Sequence, residues 1–249
     1  MRTNTLFLSL IGIALTAFTP FLGADVSVPS LFSDHMVLQR DKPIKVWGWA
    51  DSGETITVSI EGSSATTEAD VSGEWLATLA PMPAGGPYSM HISGSNELIF
   101  TDILLGEVWI ASGQSNMGFT VNRGTNADLV SLMAKRAPQI RFNKIRNMGS
   151  QTPQKETTHV WELTSPESVG RFSAVGYAFA ETLYSVLNVP IGIIDNAWGG
   201  STCEAWVARP VIVADPQLNN MRLSWNACAL EPQCLRHAGC RAASVSTLA

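Results

Sequence analysis

The serine at position 115 stands where a nucleophile would be useful. It lies near the end of the run Val108-Trp109-Ile110-Ala111-Ser112-Gly113-Gln114-Ser115-Asn116-Met117, in which apolar residues give way abruptly to Gly-Gln-Ser-Asn. A buried strand ending this way delivers a hydroxyl to the rim of a sheet, where α/β enzymes gather their ligands. Such a hydroxyl attacks a carbonyl only when a base takes its proton and donors hold the oxyanion that forms. Gly113 permits a tight turn, and the N–H groups opening the next segment are donors of that kind. The local pattern is Gly-Gln-Ser-Asn-Met, not Gly-x-Ser-x-Gly, so a strained nucleophile elbow is disfavoured. The alternative role for Ser115 is to cap a helix.

A second candidate loop is Ile193-Ile194-Asp195-Asn196-Ala197-Trp198-Gly199-Gly200-Ser201-Thr202-Cys203-Glu204-Ala205-Trp206. It also follows an apolar strand, which places it on the same rim as Ser115. The pair Gly199-Gly200 lets backbone N–H groups come close to a ligand. The competing reading is a glycine turn with Trp198 and Trp206 packed beneath it.

Two kinds of element must position these loops. From about 44 to 100 the residues alternate with the period of strands, most cleanly in Glu54-Thr55-Ile56-Thr57-Val58-Ser59-Ile60, where Ile56, Val58 and Ile60 share one face. Turn clusters recur at short spacing, as in Asp51-Ser52-Gly53 and Ser93-Gly94-Ser95-Asn96, so residues 25–102 read as a small antiparallel β-sandwich domain. After Asp102 the period changes: strand at 103–111, helix at 126–136, strand at 139–145. A second helix then carries Phe172, Val175, Phe179, Leu183 and Val186 on one face, and a strand follows at 189–196. Ala174, Gly176, Ala178 and Ala180 would let that helix lie close on a sheet. The order βαβαβ implies an α/β domain, with a parallel sheet flanked by helices, over 103–225.

Composition narrows the function. The 249 residues are 45% hydrophobic and 15% charged, with a net charge of −5. No basic run is present, which argues against a nucleic-acid partner. Residues 1–24 have the layout of an export signal: Arg2, an apolar stretch from Leu6 to Phe18, and Gly23-Ala24 as the cleavage site. The expected location is therefore secreted or periplasmic, with no stable membrane association once the signal is removed. Cys203, Cys228, Cys234 and Cys240 are confined to the last fifth, so no disulfide framework is expected. Residues 226–249 form an anomalous tail with neither a convincing period nor the composition of a polar disordered segment.

Three blocks occur in one order: Ser112-Gly113-Gln114-Ser115-Asn116-Met117; Phe172-Ser173-Ala174-Val175-Gly176-Tyr177; and Pro190-Ile191-Gly192-Ile193-Ile194 leading to Trp198-Gly199-Gly200-Ser201. Upstream lie Leu31-Phe32-Ser33-Asp34-His35-Met36-Val37-Leu38-Gln39-Arg40 and Val46-Trp47-Gly48. Together they resemble the sialate O-acetylesterase family of SGNH-type carbohydrate esterases over about residues 25–220. The resemblance implies an SGNH-hydrolase-like parallel sheet and hydrolysis of acetyl esters on sialic acid or another sugar. It implies Ser115 as nucleophile and the N–H groups of Ser115 and Gly200 as the oxyanion hole, with Gly199 the less favoured glycine. Gln114, Asn116 and Trp198 would contact an O-acetylated sugar, and no metal or organic cofactor is implied.

Two further parts of the family pattern, a Gly-Glu-x-Asn loop and a C-terminal Asp-x-x-His, do not occur in this sequence. The family's sheet and its catalytic set are therefore expected to be incomplete here, and hydrolysis impaired. None of the four histidines replaces the missing one convincingly. His35 and His91 belong to the β-domain, His159 follows Glu156 at the right spacing in the wrong place, and His237 lies in the tail. Cys228, Cys234, His237 and Cys240 match no common zinc spacing. The reading from another class is a secreted carbohydrate-binding protein without catalysis. Trp47, Trp49 and Trp75 would stack on sugars, although at strand spacing such residues more often belong to a core. A third reading is a misfolding fragment with an exposed sheet edge.

Overall fold

The computed structural model describes residues 24–124, 126–145, 147, 153–156, 160–201 and 206–223. The export signal (Ala24 excepted), the tail, His159, His237 and all four cysteines lie outside the described residues. The first half is built of strands: β1 (Val37–Gln39), β2 (Ile44–Trp49), β3 (Thr55–Ile60), β4 (Ser63–Glu68), β5 (Glu74–Leu79), β6 (Gly85–Ser93) and β7 (Glu97–Gly113). The expected alternation holds in β3, where Ile56, Val58 and Ile60 are buried and Thr55 is exposed. An antiparallel array β4-β3-β6-β7 and a two-stranded ribbon β2-β5 share one apolar core, which contains Val46, Ile56, Trp75, Ile92 and Leu105.

The second half alternates. It contains α1 (Ala127–Ala134), β8 (Ile140–Lys144), β9 (Trp161–Leu163), α2 (Ala174–Leu187), β10 (Ile191–Ala197) and α3 (Arg209–Ala214). β10 lies between β7 and β8 and is parallel to both, while β9 is antiparallel at the β8 edge. The sheet of this half is therefore mixed, with a parallel centre, and helices are few among the described residues. All of β10 is buried, as a central strand covered on both faces must be.

Both halves draw on β7. Its residues 97–105 pair with β6, 104–106 with β1, and 107–113 with β10. The change of partner falls at Gly106, where an added Cβ would stand 2.0 Å from the Pro190 carbonyl oxygen. No side chain fits this crossing.

Helix α2 keeps only part of the expected face inward: Phe172, just before it, and Leu183 pack on the second core. Val175, Phe179 and Val186 are 51%, 42% and 74% exposed, while Gly176, Tyr177 and Ala180 are buried. At Gly176 the approach is close, its Cβ position lying 3.6 Å from Ile193 of β10, so a larger residue would not fit there. Phe142 and Phe172 stack with ring centroids 4.3 Å apart. The three tryptophans of the β-domain also divide. Trp75 belongs to the core, whereas Trp47 and Trp49 alternate with the buried residues of β2 and are half-buried, Trp47 still packing on the core through Phe32.

Candidate active site

Gly113, the last residue of β7, has φ +145°, a conformation that side-chain-bearing residues rarely adopt. It turns the chain from the strand into a compact loop, closed by the Gly118 N–H donating to the Gln114 carbonyl at 2.9 Å. Gln114, Ser115 and Asn116 are all exposed on this loop, so the Ser115 hydroxyl meets solvent at the end of the sheet.

Three sets of bonds hold the loop. On one side the Trp198 N–H donates to the Gly113 carbonyl at 2.8 Å, extending the β7–β10 pairing into the second candidate loop. On the other, Ser173 is wholly buried at the N-terminus of α2: its Oγ donates to the Met117 carbonyl at 2.6 Å and accepts from the Gly176 N–H at 3.0 Å. One hydroxyl thus caps the helix and fixes the backbone two residues beyond Ser115. Ala174 N–H to Phe119 and Val121 N–H to Phe172, at 2.8 and 3.0 Å, complete the seam. In the sequence Ser173 stands out only as part of the 172–177 block. Its signal was legible, a serine directly before a helical period.

The structure brings the two candidate loops together. An added Cβ on Gly199 would lie 3.5 Å from both Cα and Cβ of Ser115, so Gly199 is the glycine seated against the serine backbone. Gly200 follows with φ +77° and open space around its Cβ position. The turn is stiffened by Ser201, whose Oγ donates to the Trp198 carbonyl at 2.8 Å and accepts from Trp206 Nε1 at 2.9 Å. Trp198 is half-buried beside the exposed glycines.

Beneath the rim sits Asp195, 1% exposed on β10 and opposite Ala111 of β7. Burial pushes its carboxyl above the usual aspartate range, against the pull of Lys144 and the Ala197 N–H. Lys144 Nζ is 3.7 Å from Oδ2, and Oδ1 has no hydrogen-bond partner.

Neither described histidine serves Ser115. His35 Nδ1 is 2.7 Å from Asp102 Oδ2, and Arg141 reaches the same oxygen at 3.0 Å. Asp102 precedes Gly113 by eleven residues, roughly 36 Å along an extended strand. His91 pairs with Glu97 at 3.3 Å, further back still. Among the described residues no group of His, Cys, Asp and Glu is arranged to hold a metal. Among the described residues the arrangement supplies an exposed hydroxyl and backbone donors, and no histidine stands beside Ser115.

Residues 105–227 match the family described as "Carbohydrate esterase, sialic acid-specific acetylesterase". Sialate O-acetylesterase of Homo sapiens is 32% identical over 197 residues, covering 71% of this chain. That of Mus musculus is 30% identical over 205 residues, covering 74%. The chain spans 38% of the length of each. A crystal structure of a carbohydrate acetylesterase from Xanthomonas citri matches with a TM-score of 0.73 and 38% identity, over 78% of this chain and 45% of that one.

Proposed function

Since residues 105–227 of this chain belong to the sialic acid-specific acetylesterase family of carbohydrate esterases, we propose that Ser115 is the nucleophile that removes acetyl groups from a sugar. One observation carries the reading: the exposed Ser115 loop at the end of β7 is joined to the Gly199-Gly200 loop at the end of β10. In this reading the sheet is of the SGNH type. Ser115 Oγ bonds to the acetyl carbonyl carbon, and the oxyanion of the tetrahedral intermediate is held by the N–H groups of Ser115 and Gly200. Collapse breaks the bond from the carbonyl carbon to the sugar oxygen, which leaves as an alkoxide and takes up the proton that Ser115 gave up; acetyl-serine remains, and water then releases acetate. Gln114, Asn116 and Trp198 line the approach, with the sugar against the Trp198 ring. The substrate is an acetylated carbohydrate, and export of the chain through residues 1–24 would place the reaction outside the cytoplasm.

A serine without a base is a poor nucleophile, and loss of one triad member commonly costs several orders of magnitude. These 249 residues are therefore expected to hydrolyse 4-nitrophenyl acetate little above background. Imidazole added in solution can serve as a base. The rate should then rise with its concentration in the unsubstituted protein, above the rise that imidazole alone causes with Ser115→Ala. Equal slopes in the two proteins would remove Ser115 from the reaction. Fast hydrolysis without imidazole, abolished by Ser115→Ala, would keep the nucleophile and overturn the impairment.

A further inference from the structure

The outer face of the β2–β5 ribbon carries groups that the ester chemistry does not use. Trp47 and Trp49 stand two residues apart on one face of β2, opposite Leu76 and Glu74 of β5. Leu76 is 52% exposed and both indoles are half-buried, so the face is apolar but not closed. The edge contact of Phe32 with Trp47, centroids 4.7 Å apart, restrains that ring. Trp49 is anchored through its backbone, which exchanges hydrogen bonds with Ser27 at 2.8 and 2.9 Å. Over this face lies a cleft of about 370 Å³, within the range of small-ligand sites.

The rim of the cleft is polar and balanced in charge. Lys45 and Lys155 face Asp70 and Glu74, with Lys155 Nζ 2.5 Å from Glu74 Oε2. Asp70 is held rigidly: its Oδ1 accepts from the Ser72 N–H at 2.7 Å, the Ser72 hydroxyl at 2.6 Å and the Glu74 N–H at 3.0 Å. A lipid tail or an apolar protein surface laid here would take these four charges out of water. A polyanion or polycation would meet like charge on half of the rim. A pyranose satisfies both parts, because its C–H face suits an indole and its hydroxyls both donate and accept.

We propose that this cleft binds an uncharged glycan, its rings against Trp47 and Trp49 and its hydroxyls on Lys45, Asp70, Glu74 and Lys155. The site is separate from Ser115 and does not require Ser115 to be catalytic. It gives the tryptophans of the β-domain a binding role in the same chain as the esterase loops.

The test is titration of the full chain with xylohexaose, cellohexaose and mannohexaose, followed by calorimetry and tryptophan fluorescence, with 3′-sialyllactose as the charged comparison. None of the first three carries an acetyl ester, so hydrolysis does not enter. At least one should bind, and Trp49→Ala or Trp47→Ala should weaken it by about tenfold, with Trp49→Phe restoring most of the loss. Glu74→Gln, which leaves the ribbon pairing intact, should weaken it by about threefold and keeps the test open if an alanine variant fails to fold. Ser115→Ala should change nothing. No binding at millimolar concentration, binding that survives both alanine variants, preference for the charged sugar, or loss on Ser115→Ala would each overturn the proposal.

Discussion

Ser173 does two jobs with one oxygen, and both bear on Ser115. Removing it should cost the helix cap and leave the Met117 carbonyl unpaired, about 1–2 kcal/mol together. Ser173→Ala should therefore lower the denaturation midpoint and reduce the imidazole-assisted rate, with Ser173→Thr recovering part of both. Gly113→Ala tests the loop from its other end, because φ +145° excludes alanine without strain. A loss of about 1–3 kcal/mol in chemical denaturation is expected. Asp195 makes a prediction in pH. Its folded pKa is raised by burial, so the unfolded chain ionises first as pH rises. Stability is greatest below the ordinary aspartate pKa and is lost as pH climbs through the folded value. Asp195→Asn should melt higher than the unsubstituted protein at pH 7, and the gap should close on acidification. At this scale the sequence was eloquent about Ser115 and the glycine pair, whose types announce their chemistry. It was silent about Asp195, since an aspartate following an apolar run reads equally as the first residue of a loop.

Strand periods are a more faithful guide to burial than helix faces. β3 buries the residues its alternation predicts, because a strand has only two faces and the polar one declares itself. Helix α2 offers two apolar stripes, and periodicity selected the bulky one. The fold seats Gly176, Tyr177 and Ala180 against the sheet; the small residues announce a close approach to β10 without saying which stripe makes it. Close approach also rules β10 itself. A Cβ on Gly192 would lie 2.8 Å from Val37 Cβ and 3.2 Å from the Trp161 ring. Gly192→Ala should thus destabilise by about 1–3 kcal/mol through overpacking. Val186→Ala, on the exposed stripe, should stay within about 0.5 kcal/mol in the same denaturation assay. Trp47 and Trp49 carry the same lesson for β2: strand spacing put both on one side without saying that the other side faced the core.

For the molecule as a whole, the change of period near 102 suggests a boundary, whereas the structure carries one strand, β7, and one sheet straight across it. Asp102 lies inside β7 with φ +55°, and its carboxylate bridges His35 and the nearly buried Arg141. In sequence, the polar Thr101-Asp102 pair looks like a break between two strands. It is instead a clasp between β7, β8 and the segment before β1. The 107–113 stretch of β7 is paired with β10 along one edge and, among the described residues, with no strand along the other. Trp109 and Ile110 are each 45% exposed beside that edge. Such an edge favours self-association, which Ile110→Lys should reduce in light scattering at high protein concentration. Gly106 has a consequence of another kind. Because the halves meet inside a paired strand and at a residue that tolerates no side chain, neither can be exchanged for a foreign module by a cut between them. Recombination among relatives should leave residues 97–113 inherited as one block, with viable crossovers falling in the turns on either side.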